Sequence, residues 1–353
     1  MLAEKQGNKK VNIDKLKPGM TIAEDIGSKF GAVLIPSGTV MTEEVINRLE
    51  ERGRSEVEVF TEAEEERKNN LEKVRKKERE YRSSVVKFAE KFEKFMYKRR
   101  VEYEDVLELT EKTSKLSEEM DLVDVLTAIR RIDEYTYTHS LNVGILAGMF
   151  AEWINLSSER KNNLVQAGIL HDIGKAKIPE SILKKPDALT KKEFEFMKQH
   201  SVFGFRMVKE SQQIEDEVAA GILTHHERYD GSGYPRQYEG EKIPLFGRVL
   251  AIVDAFDAMT ADRVYQTARS PFNAIKVVEE ESFGHFDYKL KEVFLRKIPN
   301  YLVDEKIKLN NGKEARVIFI PPRHPYRPII KVDDLYLDLM KNPGLEIVEI
   351  IKE

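Results

Sequence analysis

Between residues 117 and 298 the apolar positions recur at steps of three and four. SLNVGILAGMFAEWI, SERKNNLVQAGIL, EFEFMKQHSVFGFRMV, EDEVAAGILTHH and GRVLAIVDAFDAM each gather their large apolar residues on one side of a 3.6-residue period. That is the pattern of helices turning one face to a core, and it predicts an almost wholly helical region. Thr190 and Glu193 form a T-x-x-E capping box at the start of the helix that carries His200. Ser270-Pro271 sets a proline in the first turn of another helix.

The flanks read differently. Residues 1–60 carry short apolar runs punctuated by Pro18-Gly19, Gly31 and Pro36-Ser37-Gly38, which are turn signals. Thr42 is an N-cap before EEVINRLEERG, and EVEVF at 56–60 alternates as a half-buried strand does. A small α/β regulatory or docking module is predicted there. From 61 to 116 glutamate, lysine and arginine dominate, with opposite charges three and four apart, which supports long exposed helices. Val85, Val86, Phe88, Phe92, Phe95 and Met96 lay a sparse apolar seam on them. The segment is read as a charged helical linker or as a dimerisation stalk that would make a homodimer. In 299–353, KIKLNNG, EARVIFIPP, PIIKVD and LEIVEII are β-type runs between Asn-Gly and proline turns, so a small β-rich appendage is predicted.

Composition narrows the classes. In 353 residues, 34% are charged, yet the net charge is only -4, so no general attraction to duplex nucleic acid is implied. The longest apolar stretch, Leu141 to Ile154, is interrupted by Asn142 and Glu152 and is too short to span a bilayer. The first ten residues lack the apolar core of a signal peptide, and the expectation is a cytoplasmic protein without a membrane segment. There is no cysteine, so any bound metal must be held by nitrogen and oxygen.

Those donors are present. Five of the seven histidines, His139, His171, His200, His225 and His226, fall between positions 139 and 226, with Asp172 beside His171 and Asp254 downstream. One histidine on an apolar helix face is more often a satisfied core residue than a ligand. Seven such groups on several helices are better explained by a metal centre, since imidazole and carboxylate together suit divalent iron, manganese or zinc and a carboxylate can serve two ions. The ligands would face one interior of a helical bundle.

HDIGK at 171–175 and HHERYDGSGYP at 225–235, with YTYTHS at 135–140 upstream and IPLFGRVLAIVDAFDAMTADRVY at 243–265 downstream, closely resemble the HD-GYP family of the HD phosphohydrolase group. The resemblance runs from about Leu122 to Lys297. It implies an HD-type helical bundle round a multinuclear metal site over 117–298 and a phosphodiesterase that hydrolyses cyclic di-GMP to pGpG and onward to GMP. By position it implies His139, His171, Asp172, His200, His225, His226 and Asp254 as ligands to two or three divalent ions, iron or manganese, with Asp172 bridging. Glu134 would support a third ion, with Asp133 the competing candidate. Two ions about 3.5–4 Å apart hold and acidify a shared water and clamp the phosphate during in-line attack.

The same resemblance gives Asp172 and Lys175 catalytic places. Lys175 would set an ammonium against the phosphate oxygens; standing alone it would be an ordinary helix-end cation. In DGSGYP the loop of Gly233, Tyr234 and Pro235 would bend close to the substrate and offer Tyr234 for stacking or hydrogen bonding, or else Tyr234 would pack on the helices and only support the site. Arg263 has the fork to grip a phosphate or a guanine edge. Asp257 is read as support for the ligand helix. One departure stands out: the run DRVYQ has Gln266 where family members often carry a basic residue. The competing readings are a phosphohydrolase acting on another nucleotide and a receptor that binds cyclic di-GMP without cleaving it.

Overall fold

The computed structural model describes residues 8–18, 20–24, 26–27, 33–35, 39, 41–50, 55–60, 64–120, 122–128, 135–260, 270–281, 284–333 and 335–351. The chain divides into two units, Met1–Lys76 and Lys77–Glu353. In the first, β1 (Asn8–Asn12), β2 (Thr21–Ile22), β3 (Ile26–Gly27) and β4 (Val33–Ile35) precede α1 (Glu43–Glu50) and β5 (Glu56–Phe60). β5 lies between β1 and β2, antiparallel to both, and β3 pairs with β4 as a separate ribbon. The alternation of EVEVF suits that place, because Val57 and Val59 join Ile22, Met41 and Leu49 in a small core while the glutamates turn to the other face. Thr42 Oγ1 accepts the Val45 N–H at 3.3 Å and caps α1.

The second unit takes the C-terminal part of α2 (Glu64–Lys98), followed by α3 (Tyr103–Glu119), α4 (Leu122–Ala128), α5 (Tyr135–Trp153) and α6 (Ser158–Leu170). The short α7 (Glu180–Leu183) and α8 (Lys191–Met197) lead into α9 (His200–Lys209), α10 (Asp216–Thr224), α11 (Leu245–Thr260), α12 (Pro271–Lys276) and α13 (Tyr288–Lys297). Thr190 and Glu193 close the capping box from both sides: the Thr190 hydroxyl accepts the Glu193 N–H at 3.3 Å and the Glu193 carboxylate accepts the Thr190 N–H at 2.7 Å. Ser270 caps α12 through the Asn273 N–H, with Pro271 in the first turn. No helix among the described residues is long and apolar enough to cross a membrane.

Segment 61–116, expected as a solvated linker or dimerising stalk, takes a different place from Tyr81 onward. Tyr81, Val85, Phe88, Phe92 and Phe95 recur at helical spacing and are all buried in the unit's own core, together with Val106, Leu109 and Leu116 of α3. The seam is therefore covered within the chain. Val86, counted in it from the sequence, points to solvent. The charges occupy the opposite face in ion pairs such as Lys91 with Asp105 at 2.5 Å and Lys94 with Asp105 at 2.8 Å. A sparse apolar stripe decided the packing although the wet face dominated the composition.

The tail forms one antiparallel sheet from β6 (Lys306–Leu309), β7 (Glu314–Phe319), β8 (Ile329–Val332), β9 (Leu335–Asp338) and β10 (Ile347–Ile351), in the order β10-β6-β7-β8-β9. Ile307, Leu309, Val317, Ile330 and Ile350 lie in the same core as the helices, so the β-rich tail is built into the second unit. β9 is the strand the apolar runs did not indicate. It is an edge strand whose Leu335 and Tyr336 are exposed, and no buried alternation marks it.

Candidate metal centre

The donors come from helix ends. His171 and Asp172 follow α6 and open a 3-10 turn over Ile173–Lys177; His225 and His226 follow α10; His200 begins α9. His139 lies in the second turn of α5 and Asp254 within α11. Glycines let these elements approach. A Cβ on Gly168 would stand 2.9 Å from the Gly144 Cα, which sets α6 against α5, and one on Gly174 would stand 1.9 Å from the His200 carbonyl oxygen. The 3-10 turn carrying His171 and Asp172 thus lies backbone to backbone on the start of α9.

Six of the seven groups meet as two clusters, and Asp172 joins them through a third group with His171 and His225. His139, His171 and Asp254 offer atoms within 4.8 Å of one another, as do His200, His225 and His226. Asp172 lies between them. Its Oδ2 is 3.3 Å from His171 Nε2 and 3.8 Å from His139 Nε2, whereas its Oδ1 is 3.5 Å from His200 Nε2. Asp254 Oδ1 is 3.1 Å from His139 Nε2, and its Oδ2 is 4.0 Å from His226 Nδ1. One carboxylate oxygen of Asp172 faces each cluster, the arrangement that a bridging ligand requires.

Second partners fix the imidazole tautomers. His171, His200 and His225 each donate Nδ1–H to the carbonyl three residues earlier, on Gly168, Met197 and Ile222, at 2.7, 2.8 and 2.7 Å. His139 donates Nδ1–H to Asp257 Oδ2 at 2.7 Å, which fixes the orientation of the His139 ring. In His171, His200 and His225 the Nε2 lone pair is left for the centre, while His139 Nε2 faces Asp254 Oδ1. His171 Nε2 is buried with no hydrogen-bond partner, and the Nε2 atoms of His200 and His225 are only 3.3 Å apart. Two lone pairs that close repel unless a cation lies near both. The donor set therefore fits divalent cations held by nitrogen and oxygen.

The electrostatics of the second cluster agree with that fit. Burial pushes His225 well below the usual imidazole range, helped by the neighbouring His226, His171 and His200, and lowers His226 to about 3. His200 is lowered as well, burial being the main cause. These rings are uncharged at neutral pH and need shed no proton to bind a metal. Burial opposes ionisation of Asp172, but Lys175 and then His171 outweigh it and hold the carboxyl well below its ordinary value. For His139 burial opposes protonation, yet Asp254 and Asp257 on either side outweigh it and raise the ring to about 10.

Lys175 Nζ sits 2.5 Å from Asp172 Oδ2. The glycine-rich loop folds over the second cluster: Tyr234 N–H donates to the His226 carbonyl at 3.2 Å, and its ring lies 4.8 Å from the His226 ring at 35°. The Tyr234–Pro235 peptide is cis. Gly231 takes φ +80°, and Asp230 Oδ1 accepts the Ser232 N–H at 2.9 Å across the turn. Gly233 answers to packing, since a Cβ there would stand 2.3 Å from the Arg228 nitrogen. Glu227, which carried no expected role, anchors the loop. Its buried carboxylate accepts the Arg236 N–H at 2.6 Å and the Tyr238 N–H at 3.2 Å. Its adjacency to His225-His226 was the only signal, because the amides it holds come nine and eleven residues later. Glu134, Asp133, Arg263 and Gln266 lie outside the described residues.

Fold and site together define a helical protein with a centre of imidazoles and carboxylates suited to divalent metal. Residues 95–290 match the family model described as HD domain, more than half of the chain, and the chain belongs to that family. It is 37% identical over 217 residues to a cyclic di-GMP phosphodiesterase of Thermotoga maritima, covering 61% of this chain and 57% of that protein. It is 36% identical over 207 residues to the cyclic di-GMP phosphodiesterase PA4108 of Pseudomonas aeruginosa, covering 59% and 50%. A 3'3'-cGAMP-specific phosphodiesterase 2 of Vibrio cholerae is 32% identical over 211 residues, covering 57% and 38%. The chain thus spans little more than half the length of the first of these relatives, and less of the third.

Proposed function

We propose that the chain is a metal-dependent phosphodiesterase hydrolysing cyclic di-GMP to pGpG and onward to GMP. The observation that carries this is the pair of clusters joined by the two oxygens of Asp172, with the Nε2 atoms of His171, His200 and His225 turned inward. His139, His171 and Asp254 would hold one ion and His200, His225 and His226 the other, and iron or manganese suits these donors. Such a pair of ions supplies Lewis acidity toward a phosphodiester and lowers the pKa of water toward neutrality. Asp257 keeps the His139 Nε2 aimed inward. Lys175 holds an ammonium at the edge of the centre, where it can meet a non-bridging phosphate oxygen. Tyr234 closes one side, and Arg263 and Glu134 keep their sequence-based roles at the substrate and at a third ion.

The names of the Thermotoga and Pseudomonas relatives favour cyclic di-GMP, and that of the Vibrio relative favours 3'3'-cGAMP as a second reading. The two are separated by measuring kcat/KM on the reconstituted chain for cyclic di-GMP, 3'3'-cGAMP, cyclic di-AMP and simple GMP esters. Cyclic di-GMP is expected to lead by about tenfold, roughly the discrimination that contacts to one differing base edge provide. A lead for 3'3'-cGAMP would favour the second reading. Turnover of the GMP esters alone would overturn both.

A further inference from the structure

The wall of the centre beyond Tyr234 has no assigned role. α8 contains no buried residue, yet it carries Phe194 and Phe196, which are 49% and 40% exposed. Phe196 leans on Phe203, with ring centroids 6.2 Å apart, but Phe194 fills no core. Lys198, one turn beyond Phe194, places its ammonium 5.1 Å from the Phe194 ring and 5.6 Å from the Tyr234 ring. Tyr234 in turn stacks toward the ligand His226. Phe194, Lys198, Tyr234 and His226 thus form a continuous row from solvent to the metal centre. Lys198 is also paired with Glu195 at 2.6 Å, but that carboxylate is two-thirds exposed, and so wet a pair is readily exchanged for another anion.

We propose that this row is the subsite for the part of the substrate that is not being cleaved: Phe194 and Tyr234 take a nucleobase face and Lys198 takes the second phosphate. Exposed aromatic faces stack on any base, and an ammonium held between two rings offers a positive charge beside them. The inference rests on the cyclic-dinucleotide reading and adds a reason for it. A mononucleotide diester placed at the metals would leave the row unused, whereas a dinucleotide reaches both.

The test compares kcat/KM for cyclic di-GMP with that for bis(p-nitrophenyl) phosphate, a diester too small to span the row, on the metal-reconstituted full chain. In Phe194→Ala and Lys198→Met the ratio of the two is expected to fall about tenfold, through KM for cyclic di-GMP. Lys198→Arg, which keeps the charge, is expected to retain most of it. An unchanged ratio in both loss variants, or an equal fall for both diesters, would overturn the subsite while leaving the phosphodiesterase reading intact. A parent chain that cleaves the small diester but neither cleaves nor binds cyclic di-GMP would overturn both.

Discussion

Asp172→Asn is expected to lower cyclic di-GMP turnover by on the order of 10³-fold, about 4 kcal/mol of transition-state stabilisation, and to deplete the protein of metal. Asparagine keeps the shape and volume of the buried side chain, so no cavity opens and packing loss does not account for the effect. What disappears is a charge with one oxygen turned to each cluster. An amide presents only one oxygen, and its NH2 would face an imidazole lone pair or an ion. Lys175 loses its partner too, but its side chain is 28% exposed and finds water, so the fold should tolerate the change. Turnover and metal content measured on the same preparation check this. A variant with full turnover and both metals would remove Asp172 from the chemistry, and one that loses neither binding nor signalling output would favour the receptor reading.

Gly174→Ala is expected to be nearly as damaging for a purely steric reason. The added Cβ would meet the His200 carbonyl oxygen at 1.9 Å and the Gly204 nitrogen at 2.4 Å, backbone atoms on both counts, so no flexible side chain can give way. The turn holding His171 and Asp172 must then separate from the start of α9, which carries His200. Overpacking of this kind costs about 3 kcal/mol, which for a unit of this size lowers Tm by roughly 5–10 °C. Affinity for the ion at the His200 cluster should fall with it. Gly344→Ala is the control, because nothing lies within 4 Å of a Cβ there. Equal Tm and equal metal content in the two variants would contradict the packing argument.

The donor types were legible because chemistry constrains them tightly: five imidazoles and two carboxylates embedded in apolar helical runs have few other uses. What brings His171 and His200 together was not, since it is the contact of Gly174 with α9, which links positions far apart in sequence through the absence of a side chain. Glu227 was passed over for a related reason, its partners being backbone amides on the far side of a turn. Phe194 and Lys198 belonged to an ordinary amphipathic run until their rings and charge were seen beside Tyr234. Over 61–116 composition misled, since Tyr81 to Phe95 are a small minority among charges yet occupy the core face. Helix starts read best: Thr42 and Thr190 cap as expected and Pro271 opens α12 in its first turn, because such signals are satisfied within four residues.

The most direct measurement is metal analysis of the anaerobically purified full chain, paired with chromatography of the products it makes from cyclic di-GMP. At least two divalent ions per chain are expected, with pGpG and GMP formed and activity lost in step with metal on chelation. Full hydrolysis by metal-free protein would contradict the assignment of the clustered imidazoles and carboxylates as its catalytic centre.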